Sequence, residues 1–135
     1  LAALAASLGV GARVHFVGQV PDVRAALQTK SNLAMTSMTE QMPNALLQAM
    51  AMARPVVAFD AGDIASILPA SRPCQVFDQD DEAGFADTLA RLIDNRDLRG
   101  LLAQQNRRRV ETTYRMHDMA RAYDEMYTSV AEGLL

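Results

Sequence analysis

Residues 36–51 read Thr36-Ser37-Met38-Thr39-Glu40-Gln41-Met42-Pro43-Asn44-Ala45-Leu46-Leu47-Gln48-Ala49-Met50-Ala51. A short apolar segment, 33–35, precedes this stretch and predicts a buried strand. Pro43 predicts the first position of a helix, because its φ is already helical and its missing N–H would have no partner there. The stretch therefore indicates a strand, a polar turn and a helix in succession.

The start of this helix is the candidate site. The N–H groups of Asn44, Ala45 and Leu46 are expected to lack partners within the helix, and such groups attract anions. Glu40 comes just before the helix, and Gln48 lies four residues after Asn44 on the same helix face. Together these groups suit a phosphate that is attached to a polyhydroxylated group. The alternative is an ordinary helix start with solvated polar side chains, and the pattern by itself leaves both open.

Size and charge exclude several classes of protein. The chain has 135 residues, of which 50% are hydrophobic and 21% charged, as expected for one globular domain. A formal net charge of −3 argues against a nucleic-acid-binding protein, because such proteins usually carry a basic surface. No apolar run approaches the roughly 20 residues that span a bilayer, and no signal peptide is visible. Cys74 is the sole cysteine, which fits a reducing compartment.

Apolar runs alternate with amphipathic segments along the chain. Strands are expected at 13–17, 33–35, 55–59 and 75–77, and helices at 1–8, 21–29, 43–53, 64–68, 82–93, 98–114 and 116–130. This alternation predicts a parallel, doubly wound sheet in a three-layer, Rossmann-like α/β fold. Ligands bind such sheets beyond the carboxyl ends of the strands, which is where segments 40–48 and 60–64 should lie.

Two charged runs and a group of methionines are expected to have structural roles rather than to form binding sites. The acidic run 78–82 lacks the spacing of a calcium loop and is expected to cap the following helix. The arginines at 107–109 point in three directions on a helix, which predicts a solvated face rather than an anion pocket. Five of the eight methionines lie between Met35 and Met52 and are expected to fill gaps in the core.

The opening stretch also resembles a known signature. It is similar to that of the retaining, nucleotide-sugar-dependent glycosyltransferases of family 4, which have the two-domain GT-B fold. Three positions depart from the family pattern, with Gln41 and Ala53 standing where glycine is usual and Gln48 replacing a second glutamate. The positions that match in register are Ser37, Glu40, Pro43, Ala49, Ala51, Pro55, Val56 and Val57.

The resemblance extends over nearly the whole chain and implies a domain organisation. Residues 1–135 would form a single, N-terminally truncated donor-binding domain, since the chain begins without methionine inside a predicted helix. The helix at 116–132 would pack back on the missing N-terminal domain, or on a second copy in a homodimer. The usual phosphate-binding Arg and Lys of the family would lie upstream of Leu1, so the fragment alone would be inactive.

The resemblance implies a role for each candidate residue. Glu40 would be the catalytic carboxylate beside the donor sugar, and Gln48 would face the ribose. Gly18 would lie in the loop near the base, and Gly62 in the glycine loop that follows the second half of the motif. The other substrate-binding positions would be Ser37, Gln41, Met42, Pro43, Asn44 and Ala45.

The implied reaction moves a sugar from a UDP-, GDP- or ADP-sugar to a glycan, lipid or small-molecule acceptor in glycan biosynthesis. No metal or other cofactor is expected, because helix starts and basic groups stabilise the leaving diphosphate. The expected location is cytoplasmic or peripheral at the inner membrane face. One alternative is a degenerate binding or scaffold domain, since Gln48 lacks the acid. A nucleotide-sugar epimerase of the same fold is disfavoured because the C-terminal part matches the transferases better.

Overall fold

Three parallel strands form the sheet of the computed structural model, which describes residues 1–70 and 74–133. They are β1 (Leu33–Met35), β2 (Val56–Phe59) and β3 (Val76–Phe77), and they lie side by side in chain order. β2 is central: its Val56 pairs with Leu33 of β1, and its Ala58 pairs with Val76 of β3. Helices connect successive strands, as a parallel arrangement requires.

The described residues include seven α-helices. Side-chain caps start three of them: Asp22 accepts N–H groups of Arg24 and Ala25, Asp81 accepts that of Gly84, and Asn95 accepts that of Leu98. The expected capping role of the acidic run is therefore confirmed at Asp81. The helices are α1 (Ala2–Ser7), α2 (Val23–Gln28), α3 (Asn44–Ala51), α4 (Ile64–Ile67), α5 (Glu82–Asp94), α6 (Arg96–Thr113) and α7 (Met116–Ala131), and a 3-10 turn spans Gly11–Arg13.

Alternation along β2 produces the three layers. Val56 and Ala58 point to one face, where they pack with residues of α2, α3 and α4. Val57 and Phe59 point to the other face and pack with α5 and the first half of α6. Val56, Val57 and Ala58 are completely buried, so the continuous apolar run identified this strand correctly. The predicted three-layer α/β fold is confirmed.

The strand expected at 13–17 is wrong. Residues 14–20 have no regular secondary structure, and Val14, Phe16 and Val17 are exposed. A strand needs a neighbour that satisfies its backbone N–H and C=O groups, and β1 pairs only with β2 among the described strands. Sequence alternation indicates a suitable side-chain pattern, but it does not supply that neighbour.

Some apolar side chains of the helices and loops are not buried. Ile93 of α5 is 62% exposed, and Val23 of α2 is also exposed. Of the methionines expected in the core, Met50 is fully buried whereas Met38 and Met42 are exposed in the loop after β1.

Helix α7 differs from the others because none of its described residues is buried. Its apolar stripe is exposed, as expected for a helix that lacks a covering partner; the stripe comprises Met116, Met119, Tyr123, Met126, Tyr127 and Val130. No helix in the described residues is both long enough and apolar enough to cross a membrane.

Candidate functional site

Three loops meet at the carboxyl edge of the sheet. They follow β1 at 36–43, β2 at 60–63 and β3 at 78–81. The side chain of Gln79 joins all three, because its Nε2 donates to the Met38 carbonyl at 2.9 Å and to the Asp60 carbonyl at 3.2 Å. The edge that topology predicts for ligand binding is thus a connected set of loops.

Gly62 fixes the backbone of Glu40. Its φ is +54°, a left-handed conformation that other residues rarely adopt. A Cβ at this position would lie 1.9 Å from the Glu40 carbonyl oxygen, which no side chain can tolerate without moving the loop. The N–H of Asp63 also donates to the Gln41 carbonyl at 3.2 Å. The glycine loop after β2 therefore packs directly behind the acidic turn after β1, and this contact explains why glycine stands at position 62.

The start of α3 differs by one residue from the sequence prediction. Pro43 is the cap rather than the first helical residue, since its ψ of 114° is extended and the helix begins at Asn44. The carbonyl of Pro43 accepts the N–H groups of Leu46 at 3.1 Å and of Leu47 at 3.3 Å. The expectation that Leu46 has a free N–H is therefore wrong. At this helix start, the N–H groups of Asn44 and Ala45 have no carbonyl acceptor among the described residues.

Glu40 lies at the rim of an open depression. Thr39, Glu40, Gln41 and Met42 line this depression, which has a volume of about 510 Å³. The Glu40 side chain is half-buried, whereas Asn44 and Gln48 are exposed on α3. Glu40, Gln41 and Met42 thus share a cavity beside the free end of the helix.

The structure places the other predicted residues less directly. Pro43 is buried as the cap of α3, and Ser37 is half-buried in the same loop. Gly18 has a φ of +64°, but a Cβ there would meet no described atom within 4 Å. Its positive φ suits glycine, and the space around it is open.

Electrostatically, the carboxyl edge is acidic. The three loops contain no Lys or Arg, and the start of α3, with its two free N–H groups, is the feature that favours an anion beside Glu40. Within the described ranges, no group of three or more His, Cys, Asp and Glu side chains is arranged to hold a metal ion. The carboxylates of the loops belong to Glu40, Asp60, Asp63, Asp78, Asp80 and Asp81.

Sequence reasoning missed the polar residues that hold this framework together. Gln79 was read as part of an acidic run, yet it joins three loops. At the amino edge of the sheet, the fully buried Asn106 of α6 exchanges two hydrogen bonds with Gln75, at 2.8 and 3.0 Å. Gln75 also accepts the N–H of Val56 at 3.2 Å. The amide of Gln75, next to an apolar strand, was the available signal for this pair. No local sequence pattern predicts that its partner is Asn106, 31 residues away.

Comparison with known proteins identifies the family. A family model described as glycosyl transferases group 1 matches residues 1–95. The chain belongs to this family. The match covers the acidic turn, α3 and the glycine loop, which are the segments that form the carboxyl edge. No curated protein sequence matches the chain.

Solved structures of glycosyltransferases share its fold. Sucrose-phosphate synthase from Thermosynechococcus elongatus superposes with a TM-score of 0.86 at 22% identity, over 97% of this chain and 33% of that one. The C-terminal domain of a glycosyl transferase group 1 family protein, LpcC, from Francisella tularensis superposes with a TM-score of 0.72 at 23% identity, over 84% and 60%. Both neighbours are GT-B glycosyltransferases, which confirms the predicted fold. The chain spans a third of the first and less than two thirds of the second.

Proposed function

We propose that the chain is the donor-binding domain of a glycosyltransferase that takes a hexosyl group from a UDP-, GDP- or ADP-sugar. The observation that carries this proposal is the position of Glu40, held by Gly62 beside the free start of α3. Membership of the group 1 family supports sugar transfer as the reaction. The acceptor would be a glycan, a lipid or a small molecule.

The chemistry of sugar transfer suggests different roles for the Glu40 carboxylate and for the start of α3. During transfer, positive charge develops on the sugar and negative charge on the leaving diphosphate. The Glu40 carboxylate would hold sugar hydroxyls and offset the positive charge. The N–H groups of Asn44 and Ala45 would face the diphosphate, where the helix dipole also favours negative charge. This assignment does not require a metal ion.

Further residues would complete the donor site. Gln48, one turn into α3, would face the ribose, and the loop containing Gly18 would lie near the base. Ser37, Gln41, Met42 and Pro43 would shape the turn around the sugar. Because the three loops contain six carboxylates and no basic residue, the diphosphate would also need cations from elsewhere in the protein.

The proposed protein is larger than these 135 residues. A second domain would bind the acceptor and cover the exposed stripe of α7, and the isolated chain would not catalyse transfer. The proposed location is the cytoplasm, either free or peripheral at the inner face of the membrane.

Thermal unfolding with a panel of nucleotides and nucleotide sugars tests this proposal. A ligand at 100 times its dissociation constant should stabilise the fold by about 2.7 kcal/mol. We expect UDP, GDP or ADP to raise the unfolding temperature, and Glu40→Ala to remove only the extra shift given by the attached sugar. Glu125→Ala, an exposed carboxylate on α7, is the matched control and should leave all shifts unchanged. A full-length protein that responds to no member of the panel would contradict donor binding.

A second candidate function follows from Gln48. The family pattern has glutamate there, and a neutral amide makes weaker hydrogen bonds to ribose hydroxyls than a carboxylate does. The domain would then be a binding or scaffold module without transferase activity. Gln48→Glu should tighten nucleotide binding by about 1 kcal/mol, roughly fivefold, in a calorimetric titration. Unchanged affinity would show that residue 48 does not contact the ribose.

A further inference from the structure

A second cavity lies at the opposite, amino edge of the sheet. It has a volume of about 310 Å³ and lies between the segments that enter β1 and β2 and the first half of α6. Three arginines line it: Arg54, Arg96 and Arg99. The other described lining residues are Ser, Ala, Pro and Gly, so the described lining contains three cations and no carboxylate. The local charge is thus opposite in sign to the formal net charge of the chain, which is −3.

Two of these arginines are held in place by backbone carbonyls. Arg99 donates from Nη1 to the carbonyls of Leu92 at 2.6 Å and Ile93 at 2.7 Å, which leaves the N–H groups on its other two nitrogens. Arg54 donates from Nη2 to the Gln28 carbonyl at 3.2 Å, and its buried Nε has no partner in the described residues. Both guanidinium groups are thus positioned by backbone carbonyls and not by carboxylates.

Among the described residues, no carboxylate lies within ion-pair distance of the three guanidinium groups. The ion pairs found across 1–70 and 74–133 involve other arginines, such as Arg91 with Asp87 and Arg107 with Glu111. Arg96 is exposed and also borders a neighbouring depression that contains Asp94 and Asp97. Like charges that share a cavity repel one another, and an anion seated between them would remove that cost.

We propose that this cavity binds a phosphate monoester through Arg96 and Arg99, with Arg54 adding charge from the cavity wall. Guanidinium groups donate paired hydrogen bonds to phosphate oxygens, and such charge-assisted bonds are about twice as strong as neutral ones. The cavity volume is at the lower end of the range for ligand pockets, which suits a small phosphorylated molecule or a lipid head group. The site is separate from the proposed donor site and does not depend on it.

Amide chemical-shift mapping of the full chain tests the proposal. Glycerol 3-phosphate is titrated, with sodium chloride at the same ionic strength as the reference. Shifts are expected at residue 31, at 53–55 and along 96–103. Arg96→Ala should weaken binding about tenfold, and Arg96 makes no described hydrogen bond whose loss would disturb the fold. Arg99→Ala should weaken binding at least as much, but it also removes the bonds to α5, so Arg96→Ala is the cleaner variant.

Arg108→Ala supplies the matched control, since Arg108 is an exposed arginine on α6 outside this cavity. Vesicles of phosphatidylcholine with and without phosphatidic acid distinguish the source of the phosphate. Vesicle binding that requires phosphatidic acid and Arg96 would assign a lipid head group, whereas binding of the soluble ester alone would assign a metabolite. Shifts no larger than those with chloride, or equal losses in Arg108→Ala and Arg96→Ala, would overturn the proposal.

Discussion

The loops at the carboxyl edge of the sheet and the cavity at its amino edge carry opposite charge. The loops at the carboxyl edge contain carboxylates and no basic residue, whereas three arginines line the cavity at the amino edge. The difference follows the direction of the helices, because α3 and α5 begin at the carboxyl edge and end at the amino edge. Acidic groups stabilise the positive start of a helix, and basic groups stabilise its negative end.

The comparison separates charges that support the fold from charges that are free to bind. Asp81 accepts an N–H at the start of α5, and Arg99 donates to the last carbonyls of the same helix. The Glu40 carboxylate and the Arg96 guanidinium have no such partner in the part of the chain that the structure describes. Charge alone therefore does not identify a ligand site. Glu40 and Arg96 are unpartnered members of the two edges, and they are the residues that a ligand experiment should change.

The largest expected effect concerns the anchor of the amino edge. Asn106→Ala should lower the free energy of unfolding by about 3 kcal/mol, because it leaves a small cavity and removes two bonds to Gln75 and one to the Arg54 carbonyl. Urea denaturation measures this change. Gln104→Ala, at an exposed position of the same helix, should change it by less than about 0.5 kcal/mol. Equal effects of the two substitutions would show that the buried amide pair does not stabilise this edge.

That anchor also shows what the sequence could not predict. Strands β1, β2 and β3 and helices α2 to α5 follow from local signals: apolar runs, Pro21-Asp22, Pro43 and the acidic cap at Asp81. The Gln75–Asn106 pair and the two hydrogen bonds of Gln79 join residues that are distant in the chain. Hydrogen-bonding side chains carry no periodic pattern, so such pairs become visible only when the sheet is assembled.

The failed strand at 13–17 has the same cause. Its alternating side chains are a local property, but pairing depends on a neighbouring strand. At the candidate site, two residues that are distant in the chain are brought together. Glu40 and Gly62 come from different loops, and the resemblance placed them in one site. Their backbones are in contact at the carboxyl edge, and their shared role in donor binding stays a prediction. The one-residue error at Pro43 arose because proline fixes φ and leaves ψ free.

Gly62→Ala tests which contacts stabilise the carboxyl edge, as Asn106→Ala does for the amino edge. The new methyl group would overlap the Glu40 carbonyl and also strain a left-handed φ, so stability should fall by about 2 kcal/mol. Nucleotide-sugar binding should weaken as well, since the Glu40 turn must move. Gly100→Ala is the control of opposite sign, because its Cβ would meet nothing within 4 Å and alanine favours a helix. A neutral Gly62→Ala would mean that the two loops are not locked together.

Gln79→Ala should have a smaller effect at the same edge. The side chain donates two hydrogen bonds from an exposed position, so their loss should cost about 1 kcal/mol. Amide hydrogen exchange should accelerate in the loops 36–43 and 60–63 and remain unchanged at the amino edge. Gln28→Ala, an exposed glutamine on α2, serves as the control. Faster exchange at both edges would show that they are coupled rather than held independently.

The smallest expected effect, and the one with the opposite sign, is at Ala53. This residue connects α3 to β2 at the amino edge with a φ of +52°, and it is the sole non-glycine residue with positive φ in the described chain. Alanine in this conformation costs about 1–2 kcal/mol, and glycine removes the strain but adds freedom to the unfolded chain. Ala53→Gly should therefore raise stability by about 0.5 kcal/mol in urea denaturation. Ala90→Gly, in the middle of α5, should lower it by about 1 kcal/mol. A loss of stability in both variants would show that the left-handed conformation at position 53 costs alanine little, unlike the conformation at Gly62.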